Sequence, residues 1–355
     1  MSSSVASKPG GWVADKYVYH CDSITLSCPG DYRYMDNLAL LALTWKGPIS
    51  VALYAPGYDF LTTVKSIAYL RICKYKEIRE FVTFHLFFEE NHIFKAEEPL
   101  LSLYEDVYDC ALGAPYENMK TEDMYKHKNN LLYPINVARN IARDAAQTHF
   151  VFPSDIELYP TPNFIEKFLT FVNKNPKLFD KNEKNVFVLP VFEMKEGYEI
   201  PTTKTVLQTM IKNKTAFLFH KNICTSCHKV IDGDGWLKEP ETQGVNVFSV
   251  GKRQGKQSMW EPFYVCTHKE PLFDERLTWE GQGNKMSLAY SLCLLDYNFV
   301  VLDNAFLMHK PGVKLKKLQN TMYKNVTKEA AKLLKYHVNK ELREMYGNNP
   351  KCKIY

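Results

Sequence analysis

Asp155 and Glu157 stand two residues apart, directly after the apolar run His149-Phe-Val-Phe-Pro153. In an extended chain residues i and i+2 point the same way. Both carboxylates can then face one point while Ile156 turns into the core. Two hard oxygen donors suit Mn2+, with Mg2+ as the alternative, gripping a diphosphate. Open α/β sheets bind ligands beyond the carboxyl ends of their strands, which is where this pair would stand. A bare D-x-E is more often two solvated loop carboxylates. What raises this one is the segment before it, Pro134 to Gln147, which reads as a helix with proline in its first turn. Its apolar stripe is Ile135, Ala138, Ala142 and Ala145, and Asn136, Asn140 and Arg143 fall on another face.

The cysteines offer other chemistry. Cys224, Cys227 and His228 form CTSCH, a string that matches c-type haem attachment. No other haem feature accompanies it. A zinc site would need a second pair, for which Cys266 and His268 are available. The plainer reading is a short disulfide loop or two half-buried thiols. Nine cysteines is an odd count, and Asn213-Lys-Thr215 and Asn325-Val-Thr327 are sequons that support secretion only weakly.

The elements that must position these residues alternate between two periods. Residues 23–28, 49–56, 81–89, 149–153, 185–193 and 299–309 read as strands. Residues 34–43, 61–73, 134–147 and 164–173 read as helices. Strands separated by helices predict an α/β fold with a largely parallel central sheet. Thr327 to Met345 predicts an amphipathic helix with Leu334, Val338, Leu342 and Met345 on one stripe. Residues 1–15 are polar and rich in Gly, Pro and Ser, and are expected to be mobile. Residues 223–272 are irregular, as binding loops are.

Composition narrows the classes. The chain has 355 residues, 45% hydrophobic and 24% charged, which excludes a disordered or collagen-like chain. A net charge of +5 does not call for nucleic acid and suits a modest positive pocket for a small anion. No stretch reaches the ~18–20 apolar residues of a membrane helix, and MSSSVASKPGGW lacks the apolar core of a signal peptide.

The wording of several segments resembles glycosyltransferase family 49. The matching text is Trp45-Lys-Gly-Pro-Ile-Ser50 with Tyr54-Ala-Pro-Gly57, then YPINVARNIAR, FVFPSDIEL, FVLPVFE (187–193), Pro201 to Lys204 and CTSCH. It continues with PLFDER (271–276), Gly281 to Lys285 and VVLDNAFLMHKP (300–311). These occur in the family's order over roughly residues 20 to 315. The resemblance implies a GT-A fold: a Rossmann-like, mostly parallel central sheet flanked by helices. One catalytic domain is expected over 16–320, with a donor half near 16–160 and an acceptor half near 161–320. A C-terminal helix, 321–355, would pack on it.

The resemblance also implies roles. Asp155 and Glu157 would be the metal carboxylates and His309 the third ligand, although a lone His after an apolar strand is usually structural. Asp is more usual than Glu at position 157, so the ion would shift or bind through water. Asn136 and Arg139 would contact the phosphate or uridine of a UDP-sugar, Arg as a forked, always-charged donor, with Thr25 a weaker uridine candidate. Lys204, Arg276 and Lys285 are candidates to meet a donor carboxylate. Many GT-A enzymes carry the general base in a Trp-Gly-Gly-Glu-Asp/Asn run, whereas this chain reads Trp279-Glu-Gly-Gln-Gly-Asn284. The base candidates are therefore Glu275, Asp274 and Glu280, with Glu275 favoured.

The reaction so implied is metal-dependent, inverting transfer of glucuronic acid from UDP-glucuronate to a glycan or glycoprotein hydroxyl. Trp236, Trp260 and Phe263 are expected in the acceptor groove, with the core as the alternative. The rival readings are the same fold using UDP-xylose or UDP-N-acetylglucosamine, a non-catalytic glycan-binding protein, and a cytosolic nucleotidyltransferase. The family points to the Golgi lumen, and a chain complete as written points to the cytoplasm.

Overall fold

The computed structural model of the protein describes residues 12–16, 20–95, 107–224, 226–313 and 323–353. The expected mobile stretch, residues 1–15, lies outside them as far as residue 11, and so does the expected boundary at 320/321. The chain forms two compact units, Met1–Glu157 and Leu158–Tyr355.

The first unit holds strands β1 (His20–Gly30), β2 (Ile49–Tyr54), β3 (Val82–Phe87) and β4 (Thr148–Pro153). Its helices are α1 (Asp36–Trp45), α2 (Asp59–Cys73), α3 (Lys76–Phe81), α4 (Tyr125–Lys128) and α5 (Ile135–Asp144). The sheet runs β3-β2-β1-β4 and every pairing is parallel. Every residue of β2 is buried, as expected for a strand covered on both faces. Ile135, Ala138 and Ala142 of α5 supply one cover, packing with Ala52, Tyr54, Phe87 and Tyr133. Pro134 precedes α5 as its cap rather than sitting inside it. Lys46, in the left-handed region at φ 52°, ends α1. The indole N–H of Trp45 then donates to the Pro48 carbonyl at 3.0 Å. A disulfide joins Cys73 at the end of α2 to Cys110.

The second unit starts with β5 (Leu158–Pro160), α6 (Phe164–Lys174), β6 (Asn185–Leu189) and β7 (Val191–Met194). Next come α7 (Lys204–Lys212), β8 (Ala216–Leu218), α8 (Gly233–Trp236), β9 (Asn246–Gly251) and β10 (Phe263–Val265). It closes with α9 (Met286–Leu294), β11 (Asn298–Asp303), β12 (Leu307–His309), α10 (Lys324–Leu333) and α11 (Asn339–Tyr346). Among the described residues it has two four-stranded sheets, β10-β6-β11-β9 and β5-β12-β7-β8. Each is mixed: the central pair, β6/β11 or β7/β12, is parallel and the outer strands are antiparallel. The largely parallel central sheet expected from the sequence is that of the first unit.

Two segments expected as single strands are each broken. Residues 185–193 split at Pro190, which has no N–H to continue a ladder; its carbonyl instead accepts from Leu307 N–H at 2.8 Å. Residues 299–309 split at Asn304, which sits at φ 59°. Its side chain accepts from Thr242 N–H at 3.1 Å and donates to the Gly244 carbonyl at 3.0 Å. Because both breaks match, the first halves pair in one sheet and the second halves in the other.

The C-terminal helix contains a π turn, Leu334–Val338. Buried residues at 334, 338 and 342 are four apart, more than the 3.6 of an α-helix. The wider turn keeps them on one face. Met345, expected on that stripe, is 62% exposed. The Cys293–Cys352 disulfide ties the chain end to α9.

Candidate functional site

In the first unit the chemistry gathers at the carboxyl end of the parallel sheet. After β4, residues 156 and 157 form a turn rather than a continued strand. The side-chain pattern is nevertheless the one the spacing predicts, with Asp155 and Glu157 half-buried and Ile156 4% exposed. A Cβ built on Gly30, the last residue of β1, would lie 3.3 Å from Ile156 Cδ1. The absent side chain gives Ile156 its room.

Helix α5 presents Asn136 and Arg139 on one face, three residues apart, and both are buried. Arg139 donates through Nη1 to Asn136 Oδ1 at 2.9 Å and through Nη2 to Asp155 Oδ1 at 3.2 Å. One strand end and one helix are thereby tied together, and Asp155 is oriented by a charge-assisted bond. Arg139 therefore acts here through Asp155. Burial, with the Asp155 charge adding to it, pushes the Cys28 thiol well up, so a neutral thiol lies near Asp155. Thr25 is 4% exposed, and its hydroxyl shares a 2.6 Å hydrogen bond with Thr148 Oγ1. It links β1 to β4, which leaves the proposed uridine contact without structural support.

Sequence reasoning missed the neighbours of this edge. Asp31 accepts from Lys126 Nζ at 2.6 Å and from Arg33 Nη2 at 3.0 Å. Burial alone would raise its pKa, but the two cations hold its carboxyl below the ordinary value. The hydroxyls of Ser27 and Tyr32 are buried without a hydrogen-bond partner among the described residues. Nothing in the local sequence GDYRY marks these residues. Lys126 lies 95 residues from Asp31 along the chain.

In the second unit His309 ends β12 and is 6% exposed. Its register partner is Leu158, the residue that follows Glu157 in the chain. The His309 ring lies 5.1 Å from the ring of Phe219, which also contacts His220 at 3.8 Å and His228 at 4.9 Å. Cys224 and Cys227 close this loop as a disulfide. Oxidised, they cannot serve haem attachment or bind zinc as thiolates. Among the described residues no three His, Cys, Asp or Glu side chains gather as a metal cluster. Asp155 and Glu157 belong to the first unit and His309 to the second.

Lys204, at the start of α7, is 1% exposed. Its Nζ donates to Asp303 Oδ1 at 2.5 Å and lies 4.4 Å from the Trp236 ring centroid. It is a buried, paired cation rather than one open to a donor carboxylate. Arg276 is bound at 2.7 Å to Asp274 and at 2.7 Å to Glu341 of α11. Its hydrogen bonds to these carboxylates, which accept, push its pKa above the ordinary arginine value. Arg276 thus fastens the FDER loop to the C-terminal helix and occupies the Asp274 carboxylate. Of the base candidates Glu275 is exposed and Glu280 half-buried. Trp236, Trp260 and Phe263 are 0%, 1% and 3% exposed. They belong to the core and not to an acceptor groove, while Trp279 is 50% exposed.

A family model described as a glycosyl-transferase for dystroglycan matches residues 23–347. The chain belongs to this family. The glycosyltransferase is 27% identical over 311 residues to β-1,4-glucuronyltransferase 1 of Danio rerio, covering 86% of this chain and 69% of that protein. Against the Mus musculus enzyme of the same name it is 26% identical, covering 88% and 74%. Xylosyl- and glucuronyltransferase LARGE1 of Danio rerio is 23% identical, covering 88% of this chain and 35% of that one. Among solved structures, S. aureus TarS gives a TM-score of 0.40 at 12% identity, covering 90% of this chain and 42% of that one.

Proposed function

We propose that this glycosyltransferase moves glucuronic acid from UDP-glucuronate to a glycan hydroxyl, with inversion, using a divalent cation. The observation that carries the reading is the Asn136–Arg139–Asp155 chain at the carboxyl end of a parallel sheet, with Glu157 beside it. In this reading that sheet edge is the donor half of a GT-A fold. Relatives named for glucuronyl transfer support the choice of sugar.

The donor set of Asp155 and Glu157 fits Mn2+ or Mg2+: two half-buried carboxylates, one oriented by arginine. His309 is proposed as a further ligand on the resemblance alone. A bound cation would offset charge on the departing UDP. Arg139 holds Asp155 in place throughout. Ser27 and Tyr32 hydroxyls offer donors and acceptors at the same sheet edge. The acceptor oxygen attacks the anomeric carbon from the side opposite UDP, its new bond forming as the bond to phosphate breaks. Glu275, exposed on the FDER loop, takes the acceptor proton.

Three disulfides among the described residues, Cys73–Cys110, Cys224–Cys227 and Cys293–Cys352, favour an oxidising compartment. We assign the Golgi lumen on that ground together with the family. The test is UDP release from UDP-glucuronate, UDP-xylose and UDP-N-acetylglucosamine, each with Mn2+ and with chelator. Turnover confined to UDP-glucuronate plus metal supports the reading. Preference for a neutral sugar rejects the glucuronyl assignment.

A further inference from the structure

We propose that Asn213 is a modification site that carries an asparagine-linked oligosaccharide. This rests on the lumenal assignment above and on no part of the donor or cation reading. Asn213-Lys214-Thr215 has the acceptor spacing, an asparagine two residues before a threonine with no proline between. Such a triplet is common by chance, and the structure adds where this one stands. Asn213 caps the C-terminus of α7, and Lys212, Asn213 and Lys214 are all exposed. An attached oligosaccharide is bulky and must leave the surface into water. Three consecutive exposed residues give it that exit.

The turn is shaped by its own bonds. Lys214 takes the left-handed region at φ 56°. Its N–H donates to the Ile211 carbonyl at 3.1 Å, and the Thr215 N–H donates to the Met210 carbonyl at 2.9 Å. Two such nested bonds end a helix and turn the chain off its axis. The Thr215 hydroxyl donates to the same Met210 carbonyl at 3.2 Å. The threonine is thus half-buried against the helix end while Asn213 stays exposed. Strand β8 starts at the next residue and is the last strand of its sheet among the described residues, so no further strand of that sheet competes for the room.

The second triplet, Asn325-Val326-Thr327, is placed differently. It lies in the first turn of α10. Its Thr327 hydroxyl is shared between the Tyr323 carbonyl at 3.0 Å and the Glu280 carbonyl of a distant turn at 3.3 Å. The bonds that shape the Asn213 turn lie within residues 210–215. The chemistry is substitution at the anomeric carbon of an oligosaccharide held on a lipid diphosphate, delivered by the oligosaccharyltransferase of the secretory lumen. Asn213 Nδ2 forms the new C–N bond, and the bond from that carbon to the diphosphate oxygen breaks. The amide gives up one proton, and nothing is oxidised or reduced.

The experiment is peptide mapping by mass spectrometry, before and after peptide-N-glycosidase in heavy-oxygen water. It uses the full chain from its own cells and the same chain led into the lumen of cultured cells by a cleavable signal peptide. The expected result is a sugar-bearing peptide at Asn213 whose glycan the glycosidase removes, leaving heavy oxygen at that position. Asn213→Gln and Thr215→Ala should each lose that glycan, and Thr215→Ser, which keeps the hydroxyl, should retain it. The wild-type map reports even where a variant misfolds. A bare Asn213 in chain that has entered the lumen, or a glycan carried by Asn325 alone, overturns the inference and leaves the compartment standing. A chain that its own cells keep outside the lumen defeats the compartment assignment, and the modification with it.

Discussion

Lys204 stands in a motif shared with sugar transferases, yet its ammonium is sealed against Asp303 and the Trp236 ring. Lys204→Met keeps most of the side-chain volume and removes the charge, stranding a carboxylate that is 7% exposed. Removing one partner of a buried ion pair costs about 3–5 kcal/mol. For a unit of this size each kcal/mol lowers the melting temperature by about 2–4 °C, so the variant should melt roughly 6–20 °C lower. Asp303→Asn should be destabilised similarly, because it strands the ammonium instead. The double variant leaves no uncompensated charge and should recover to within about 2 kcal/mol of wild type. The assay is thermal and urea unfolding of all four proteins, joined to UDP-glucuronate and UDP titration. If Lys204→Met melts normally but loses UDP-glucuronate while keeping UDP, the cation faces the donor and the structural argument is wrong.

Three further outcomes are expected. Burial pulls the His85 imidazole down to about 4 from its ordinary 6.5, so the unfolded chain takes the proton first as pH falls. The resulting stability is whole above pH ~6.5 and is lost toward pH ~4, at most about 3 kcal/mol; His85→Gln should flatten the unfolding profile across that window. The Cys293–Cys352 bond closes a separation of 59 residues and should contribute about 4 kcal/mol, read as the loss of urea resistance in Cys352→Ser, with peptide mapping under non-reducing conditions checking the pairing. Glu275→Gln should lower transfer by about 100-fold or more with UDP-glucuronate affinity unchanged, measured by UDP release beside titration; unchanged turnover would move the base elsewhere.

The parts of the fold legible in the sequence were those that local pattern dictates. Apolar runs bounded by helical stripes marked β2, β4 and α5, and the D-x-E spacing located the two half-buried carboxylates. What remained hidden depends on contacts between distant residues. Pro190 and Asn304 break two apolar runs that periodicity alone joins, and each half finds a different sheet. Trp236, Trp260 and Phe263 lie in an irregular segment, but an aromatic ring's burial is decided by what packs on it. Lys204 and Arg276 share one charge and differ in their partners, Asp303 for one and Asp274 with Glu341 for the other. Partners 65 and 99 residues away leave no local mark. For the same reason CTSCH could be read as a disulfide candidate, whereas Cys73–Cys110 and Cys293–Cys352 could not be paired from spacing.

The account stands on a cation held by Asp155 and Glu157. Electron paramagnetic resonance of Mn2+ added to the protein with UDP tests it directly. One tightly bound ion per wild-type chain, lost in Asp155→Asn at a temperature where the variant is still folded, is the predicted result. Manganese that stays free in the wild type, or binds equally in the variant, would contradict it.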